Sequence, residues 1–538
     1  MEPDYKSWIS RWEATEGELA AMRRQAAGFE HPVRVSVLLV VSDPDEFWIK
    51  NSVNSVLQQV YPHLELCVCT NGPQRPHVLE ILEGYADDRI KVRHLPERNS
   101  QADAYNVALS MVTGECVALL GQGDELAPDA AFRVAEFLQG VPADVIYTDE
   151  DHTDVTGRRS DPEFKPYWAP DLLLLTPYTG RLCVVQRKVL EAVGGFREGF
   201  DGAEEHDLFL RLSEKTDRIY HLPGVLYHRS GPPGPDASEE GPSQASLRAI
   251  EEALARRGER AAVEPDLEEG SFRVTWHLSG RAKVSLILSN LEEEPDASLV
   301  EELERKTSYP IHQLIVASGD REAYPVADDA NHLFPARAMN LAADRADGEY
   351  LVFASASAQV LDSGWLSDLL RQAQRRGVGA VGCKLLNPDG SLRHGGSWVD
   401  LSRLVGYASE SASEGDGQPL VVDQTFNFEA ASAECMMVRK AAFEEVGGFD
   451  EERVPTTFYD LDLSFRLQEE GLRNVYTPYA SLICARSPEL LPSEREIAYV
   501  WRRWWEKLIR LLYYRRSPVH RAVPRAMDED ILMAAISS

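Results

Sequence analysis

The strongest constraint on this chain is a long motif that occurs twice. Residues Val193–Leu212 contain two adjacent glycines, then a cluster of acidic residues, then an arginine-containing segment with helical spacing. The segment Val446–Leu467 repeats these features in the same order. The copies lie about 250 residues apart, whereas solenoid units repeat every 20 to 50 residues or so. The repeat therefore predicts a duplicated domain.

Each copy of the motif predicts a tight turn that leads into a helix with carboxylates at its start. Paired glycines allow backbone conformations that a residue with a Cβ atom disfavours. Carboxylates are favoured at the positive end of a helix, and Leu208, Phe209 and Leu212 can form its buried stripe. This layout suits an active site, but an ordinary capped helix has it as well. Spacing alone favours the structural interpretation.

The composition is that of an acidic globular protein of two or three domains. The 538 residues are 43% hydrophobic and carry a formal net charge of −31. General nucleic-acid binding is excluded, because a polyanion needs a basic surface. Seven cysteines without a C-x-x-C pair predict core thiols in a reducing compartment and no zinc site. We expect a cytoplasmic location, since neither a secretory signal nor a membrane-spanning apolar run is evident.

Short apolar runs alternate with helical segments in the first copy. The predicted strands cover 35–41, 64–69, 90–94 and 116–120, with helices at about 45–59, 77–86 and 101–111 between them. This alternation predicts right-handed βαβ units and a parallel sheet, whose ligands bind at the carboxyl ends of the strands. Strands at 284–288, 314–317 and 350–353 predict the same order in the second copy.

These patterns divide the chain into an N-terminal helix at 1–30, a first domain at 31–265, a second domain at 280–490 and a C-terminal helix at 491–538. Segments 231–242 and 410–418 are polar and contain glycine, which predicts loops. In 499–516, aromatic and basic residues alternate at helical spacing. That helix either packs its tryptophan face on the second domain, the more common arrangement, or lies at an anionic membrane surface near a lipid-linked acceptor.

A further set of motifs is shared with a known enzyme family. In the first half these are Val35–Val37, Tyr61–Leu66, Gly114–Leu120, Tyr147–Asp151, Phe164–Pro166, Val193–Phe196 and His221–His228. In the second half they are Val378–Gly382, Leu386–Gly390, Val446–Asp450, Asp460–Leu463 and Tyr476–Ala480. With these motifs the chain resembles a tandem, two-module family 2 glycosyltransferase of the bacterial surface-polysaccharide type. The resemblance implies an α/β protein with two tandem GT-A domains, a Rossmann-like fold, flanked by N- and C-terminal helices.

The resemblance also implies a chemistry. Such enzymes move a sugar from a nucleotide sugar to a glycan acceptor. Mg²⁺ or Mn²⁺, held by an Asp-x-Asp motif after the fourth strand and by a late histidine, offsets the charge of the diphosphate. A carboxylate in the acidic cluster takes the proton from the acceptor hydroxyl, and an aspartate after the second strand holds the nucleoside base.

The first copy departs from this pattern at the metal site. The Asp-x-Asp positions read Gly121-Gln122-Gly123, and only the next residue, Asp124, is acidic. Matching the remaining positions to the family assigns a general base with its nearest substitute, a nucleotide-sugar group, an acceptor side and a weakened metal site. The general base is Glu205, with Asp207 as its nearest substitute. The nucleotide-sugar group is Asp43, Asn71 and Asp124, the acceptor side is Asp149, Asp151 and Lys165, and the weakened metal site is Asp124 with His228.

The same first-copy residues also have structural interpretations. A solvated acidic turn would account for Asp149–Asp151, a capped helix for Glu205, and a core histidine for His228.

The second copy has lost more of the pattern. Its metal positions read Ser355-Ala356-Ser357, its second strand ends at Ala317–Gly319, and Cys484 stands in place of the late histidine. Asp460 remains as a vestigial match to the base. These losses predict a domain kept for its shape, with Ser355–Ser357 at the same strand end as Gly121–Gly123 in the first domain.

Two hypotheses for the whole chain follow from these residues. In the first, it is a glycosyltransferase in polysaccharide biosynthesis, active through the first domain and peripheral at the inner membrane. In the second, it is an inactive relative that binds a glycan or scaffolds a polysaccharide assembly partner. The retained Glu205, His228 and Asp460 favour the first hypothesis, and the loss of Asp-x-Asp in both copies favours the second.

Overall fold

The chain forms two compact units, Met1–Val274 and Thr275–Ser538. The computed structural model describes residues 5–42, 45–73, 76–230, 243–266, 271–290, 297–318, 334–395, 397–398, 406–407, 423–484 and 492–514. The predicted loops at 231–242 and 410–418 lie outside these residues.

The first unit alternates helices and strands from its N-terminus onward. Its elements are α1 (Tyr5–Trp12), α2 (Glu16–Ala26), β1 (Val35–Val41), α3 (Glu46–Leu57), β2 (Leu64–Asn71), α4 (Pro76–Gly84), β3 (Ile90–Leu95), α5 (Gln101–Leu109), β4 (Cys116–Leu120), β5 (Glu125–Leu126), α6 (Ala130–Gly140), β6 (Val145–Thr153), β7 (Arg159–Glu163), α7 (Pro170–Leu173), β8 (Cys183–Gln186), α8 (Arg187–Ala192), α9 (Glu204–Leu212), β9 (Ile219–Ser230), α10 (Gln244–Arg257), β10 (Ala261–Asp266) and β11 (Ser271–Trp276).

The main sheet of this unit is mixed, with the strand order β3-β2-β1-β4-β8-β6-β9-β5 and β7 beside β6. The predicted parallel pairing is confirmed for the first four strands, since β1 runs parallel to β2 and β4, and β2 parallel to β3. Every residue of β1 and β2 is buried, which explains their continuous apolar character. Beyond β4 the sheet changes, because β8 runs antiparallel to both β4 and β6.

The second unit repeats this arrangement. Its elements are β12 (Val284–Asn290), α11 (Ala297–Lys306), β13 (Gln313–Ser318), α12 (Pro335–Arg345), β14 (Tyr350–Ser355), β15 (Gln359–Val360), α13 (Trp365–Ala373), β16 (Val378–Leu386), β17 (Leu392–His394), β18 (Ser397–Trp398), β19 (Gly406–Tyr407), β20 (Phe426–Asn427), β21 (Cys435–Arg439), α14 (Lys440–Glu445), α15 (Tyr459–Glu469), β22 (Arg473–Ile483) and α16 (Glu494–Tyr514). The order of its main sheet, β13-β12-β14-β21-β16-β22-β15, matches the first sheet strand for strand from β2 to β5.

One small contact shows how closely the two units correspond. Gly114 N donates to Ser36 Oγ over 3.0 Å, and Gly348 N donates to Ser285 Oγ over the same distance. In both places a Cβ atom on the glycine would collide with this hydroxyl and with nearby backbone, so only glycine fits. The contact gives a fixed point from which residues of the two sheets can be matched.

A second contact explains the repeated glycine turn. Asn106 in α5 donates to the carbonyl of Phe196 over 2.9 Å and accepts from its N–H over 3.0 Å. Asn340 in α12 forms the same pair of bonds with Phe449, both at 2.9 Å. The duplicated motif is therefore held to an equivalent helix in each unit.

The N-terminal segment differs from the single helix that the sequence suggested. It forms α1 and α2 because Thr15 ends the first helix and caps the second. The Thr15 hydroxyl accepts from Glu18 N, and the Glu18 carboxylate accepts from Thr15 N over 2.7 Å. This capping box satisfies free backbone donors at a helix start.

The C-terminal helix packs on its own unit, as the tryptophan spacing favoured. Trp504 is buried, and its Nε1 donates to Asp462 Oδ1 over 2.9 Å. Val500 and Leu508 on the same face are also fully buried. Residues 515–516 lie outside the described part of the chain. None of the helices in the described ranges is both long and apolar enough to cross a membrane.

We predict that Trp504 anchors α16 to the second unit. Replacing a buried Trp by Ala typically lowers the free energy of unfolding by about 3–5 kcal/mol. Trp504→Ala should therefore lower the urea midpoint of that unit, which circular dichroism on the full chain would measure. Trp501→Ala is the matched control, because Trp501 is only partly buried on the same helix and should cost about 1 kcal/mol or less. Equal effects of the two variants would contradict the packing.

Candidate active site

The polar residues of interest in the first unit gather at the carboxyl ends of its parallel strands. The segment Gly121–Gly123 follows β4, as predicted, and Gln122 accepts from Ser42 N just after β1 over 2.6 Å. A Cβ atom on Gly121 would overlap Asp124 Oδ2. Glycine at this position therefore lets the Asp124 carboxylate fold back against the strand end.

Asp124 holds the floor of this site together. Its Oδ1 accepts from Ser230 N over 2.8 Å, and its Oδ2 accepts from the Tyr227 hydroxyl over 2.5 Å. The Tyr227 oxygen in turn accepts from Gly121 N over 2.9 Å. Both carboxylate oxygens of Asp124 are thus used to join β9 to the end of β4.

Glu205, the sequence-predicted base, lies in the first turn of α9. The residue is partly exposed, and its carboxyl receives none of the hydrogen bonds found among the described residues. Burial raises the pKa of Glu205 to about 7, Arg181 opposes that rise, and Glu150, Glu204 and Asp124 add to it. A carboxylate with a pKa near neutrality suits a general base, and the helix-cap interpretation does not fit these contacts.

Sequence reasoning missed Arg181. The antiparallel pairing of β4 and β8 ends at Ala118 and Val184. Counting three residues further along each chain leads to Gly121, just after β4, and to Arg181, just before β8. Arg181 N donates to Glu150 Oε2 over 2.7 Å. The guanidinium interacts with Glu205 and Asp124, and the attraction to Glu205 contributes most to raising the pKa of Arg181. Only the antiparallel course of β8, which the sequence did not predict, could have revealed this placement.

The predicted acceptor-side residues lie inside the protein. The solvated-turn interpretation of Asp149–Asp151 is wrong, because all three residues are buried within β6. Asp149 accepts from Lys165 N and Gly224 N, each over 2.8 Å, and pairs with His221 over 2.7 Å. Buried carboxylates are stable only when they are paired in this way.

The Lys165 ammonium is also engaged within the protein. It pairs with Glu150 and with Glu163, and Lys165 itself is buried. An acceptor-side role for Asp149 and Lys165 therefore stays a prediction.

His228 is oriented by a carboxylate. Its Nδ1 lies 2.6 Å from Asp151 Oδ1, while Asp151 Oδ2 accepts from the Tyr5 hydroxyl over 2.7 Å and from Arg159 Nε over 2.5 Å. Because a carboxylate only accepts, the Nδ1 atom carries the proton. His228 is thus a buried, fixed imidazole whose partner Asp151 contacts α1 through Tyr5, which also fits the interpretation as a satisfied core histidine.

Asn71 and Asp43 were predicted to contact the nucleotide sugar. Asn71 is buried, where its amide donates to the carbonyl of Asn99 over 3.1 Å and its oxygen accepts from Asn99 N over 2.9 Å. It therefore holds the loop that precedes α5. Asp43 lies outside the described residues.

Asp207 has a structural role. Arg211 Nε donates to Asp207 Oδ2 over 2.9 Å, and Arg197 Nε donates to the same oxygen over 3.1 Å. Burial alone would raise the pKa of Asp207, but these two guanidinium groups hold it below its usual range. Arg211 also donates to the carbonyl of Val193 over 2.7 Å, which joins α9 to the glycine turn.

The second unit contains the same tie without most of the site. Arg466 donates to Asp462 over 2.7 Å and to the carbonyl of Val446 over 2.5 Å, as Arg211 does in the first unit. Two residues before Asp462, Asp460 corresponds to Glu205. Its oxygens accept from Ala433 N over 3.0 Å and from Leu461 N over 2.9 Å. Asp460 therefore braces the start of its helix against the segment before β21, unlike Glu205.

Strand register identifies what replaces the other site residues. In the first unit, His228 pairs with Glu125 on one neighbouring strand and with Asp151 on the other. In the second unit, Ile483 pairs in the same way with Gln359 and with Leu386. The late histidine thus corresponds to Ile483, and the prediction of Cys484 is wrong by one residue, because bulges in the β6–β9 and β16–β22 pairs shift the count. Continuing the same registers gives three further replacements, namely Ala358 for Asp124, Leu386 for Asp151 and Glu434 for Arg181.

The donor set of the first unit does not fit the metal site that the resemblance implies. A hard divalent cation prefers several oxygen ligands, but Gly121 and Gly123 offer no side chains. Both oxygens of Asp124 already serve Ser230 and Tyr227. Within the described ranges, no three acidic, histidine or cysteine side chains are grouped so that they could share a metal ion.

Comparison with known proteins matches part of the first unit to a family. The sequence model of glycosyl transferase family 2 matches residues 45–196. A family 2 glycosyltransferase domain lies in the first unit. The matched segment includes Asp124, Glu150 and Arg181, while Glu205 and His228 follow it. The expected fold class, α/β with two tandem domains of the glycosyltransferase type, is confirmed.

Two relatives are similar to this chain across both units. The O-antigen biosynthesis protein RfbC of Myxococcus xanthus is 35% identical over 505 residues, which are 89% of this chain and 39% of the relative. An uncharacterized protein of Sinorhizobium fredii is 31% identical over 540 residues, 93% of this chain and 59% of the relative. The chain thus spans less than two thirds of either relative. A solved structure of Staphylococcus aureus TarS 1–349 with UDP-GlcNAc is 19% identical, covers 41% of this chain and 66% of its own, and has a TM-score of 0.34.

We predict that Asp207 stabilises the glycosyltransferase domain and takes no part in proton transfer. Removing one partner of a buried ion pair typically costs about 3–5 kcal/mol, so Asp207→Asn should lower the thermal midpoint of the first unit. Because its folded pKa is lowered, Asp207 stabilises the fold above the unfolded value of about 4 and loses this effect as pH falls further.

The control for this variant is Asp201→Asn, an exposed carboxylate in the turn that precedes α9. It should change stability by about 0.5 kcal/mol or less. A stable Asp207→Asn protein that fails only in catalysis would show that the assignment to structure is wrong.

Proposed function

We propose that this protein transfers a sugar from a nucleotide sugar to a glycan acceptor in polysaccharide biosynthesis, and that the first unit performs the chemistry. Three observations support the proposal: the family match at 45–196, a relative named for O-antigen biosynthesis, and the site at the strand ends. The inactive-scaffold hypothesis rests in the first unit on one observation, the loss of the Asp-x-Asp carboxylates at Gly121–Gly123.

The observation that carries the proposal is the environment of Glu205. Its carboxyl stands at the mouth of α9, receives no hydrogen bond from the described residues and has a pKa raised to about 7 by burial. The matching Asp460 instead accepts two backbone hydrogen bonds. A carboxylate that accepts no backbone hydrogen bond on one copy and serves as a brace on the other fits a base in the first copy only.

In the proposed reaction, the acceptor hydroxyl oxygen attacks the anomeric carbon while the bond from that carbon to the diphosphate oxygen breaks. The hydroxyl proton passes to Glu205, and the nucleoside diphosphate leaves with the bonding electron pair. Glu205 must therefore lie within hydrogen-bond reach of the acceptor. Asp207 cannot substitute for it, because Arg197 and Arg211 occupy its carboxylate.

The second unit contributes its fold. Its sheet order and its Asp462–Arg466 tie are retained, but the positions of Asp124 and His228 hold Ala358 and Ile483. We therefore assign it neither a nucleotide site nor a metal site.

A cytoplasmic position at the inner membrane, near a lipid-linked acceptor, belongs to the same proposal. On α16 the rings of Trp501 and Trp505 lie 5.6 Å apart, and Arg502 and Arg503 on the same helix are exposed. Such a mixture of aromatic and basic residues suits contact with anionic lipid headgroups.

We predict that Glu205→Gln abolishes most of the transfer activity while Asp460→Asn does not. General-base assistance is typically worth on the order of 10²–10⁴ in rate, so Glu205→Gln should lose about that factor in kcat and keep its affinity for the donor. Asp460→Asn, its matched control in the second unit, keeps one of the two acceptor oxygens and lies outside the first unit, so it should transfer within about twofold of wild type.

The pH profile adds an independent check on the base. Since the carboxylate is the active form, the wild-type rate should rise as pH passes through about 7, and the residual rate of Glu205→Gln should lack this limb. Equal rates for Glu205→Gln and wild type would refute the assignment. Absence of transfer by wild type with every donor would favour the scaffold hypothesis.

A further inference from the structure

We propose that Arg181 offsets the negative charge of the donor's diphosphate, so that donor binding does not require a divalent cation. This inference rests on the proposed function and concerns how the same site holds its donor. It begins from the mismatch described above, in which the first unit lacks the carboxylates that would hold a metal ion beside Gly121–Gly123.

The position of Arg181 is the first argument. The paired residues of β4 and β8 end at Ala118 and Val184, and Arg181 lies just before β8, at the edge of the sheet where Gly121 follows β4. Its guanidinium interacts with Asp124 and Tyr227, whose side chains lie against Gly121. Its backbone is fixed there by the bond from Arg181 N to Glu150 Oε2, 2.7 Å long. The chain thus places a cation at the strand end where the family pattern would hold one through aspartates.

The chemistry of the side chain is the second argument. A guanidinium is always charged and offers paired donors that match phosphate oxygens, which makes arginine the usual residue for phosphate recognition. Arg181 interacts with Glu205 and Asp124, one the proposed base and the other the floor of the site. A diphosphate bound at Gly121 would therefore meet this cation close to the reacting atoms.

Two other cations of this unit form ion pairs within the protein. Lys165 pairs with Glu150 and Glu163, and Arg229 pairs with the same two carboxylates at 3.7 and 3.2 Å. These four side chains form a network with both signs of charge, in which Lys165, Glu150 and Arg229 are buried and Glu163 is partly exposed. It fixes β6, β7 and β9 to one another.

The second unit supplies an internal comparison. Its residue at the position of Arg181 is Glu434, which forms a double ion pair with Arg393 at 2.8 and 2.5 Å. The charge at this position is positive in the first unit and negative in the second. The second unit also lacks the equivalents of Asp124 and His228. This is the pattern expected if Arg181 belongs to the donor site rather than to the scaffold, because scaffold residues such as Asp207 are retained.

The test measures binding of UDP, GDP and dTDP to the full chain by calorimetry, in EDTA and in Mn²⁺. At least one diphosphate should bind in EDTA, with an affinity within about threefold of that in Mn²⁺. Arg181→Gln should weaken this binding about 10- to 100-fold, the usual value of a charge-assisted contact, and leave binding of the parent nucleoside unchanged. Arg181→Lys, which keeps the charge, should recover part of the loss.

The matched control is Arg187→Gln, at the opposite end of β8, where the side chain is exposed and pairs loosely with Glu191 at 3.9 Å. It removes one positive charge outside the site and should bind diphosphates as wild type does. Binding by wild type that disappears in EDTA would overturn the inference and leave the proposed function standing. No binding of any diphosphate under either condition would overturn both.

Discussion

The candidate site depends on one buried ion pair, between Asp207 and Arg211. Arg211 donates to the Asp207 carboxylate and to the carbonyl of Val193, at 2.9 and 2.7 Å. It therefore fixes the start of α9 against the glycine turn that precedes it. Glu205 lies two residues before Asp207 in the same turn of helix, so this tie sets where the proposed base stands. A buried charge is costly without a partner, and here the pairing also fixes geometry.

The duplicated fold separates scaffold from chemistry within a single chain. Both units keep this ion pair, the glycine–serine contact at β4 and β14, and the asparagine that holds the glycine turn. Only the first unit keeps Asp124, Arg181 and His228 at the strand ends. Residues that the fold requires are therefore present in both copies, whereas the polar residues around Glu205 are present in only one. That difference supports a role for this set in binding and transfer.

The sequence predicted the local features of this fold and missed the contacts that depend on distant strands. The apolar runs of β1 to β4 were predicted nearly residue for residue, because their periodicity is local. The sequence marked Asp207 as a possible base, since spacing shows carboxylates on a helix but does not show that Arg197 and Arg211 occupy one of them.

The errors in the candidate site have the same origin. Asp149–Asp151 resembled a solvated turn, but pairing with β9 buries these residues in the sheet. Arg181 carried no local signal, because only the antiparallel course of β8 brings it near Gly121. Long-range pairing therefore decided which polar residues form the site.

The central claim is that one of the two similar units binds the donor. Hydrogen–deuterium exchange of the full chain, with and without a nucleoside diphosphate that binds, tests this claim most directly. The account predicts slower exchange after nucleotide addition in Cys116–Leu126, in the segment before β8 and at the start of α9. It predicts no change in the matching segments Tyr350–Val360 and Tyr459–Glu469 of the second unit. Protection of the second set, or equal protection of both, would contradict it.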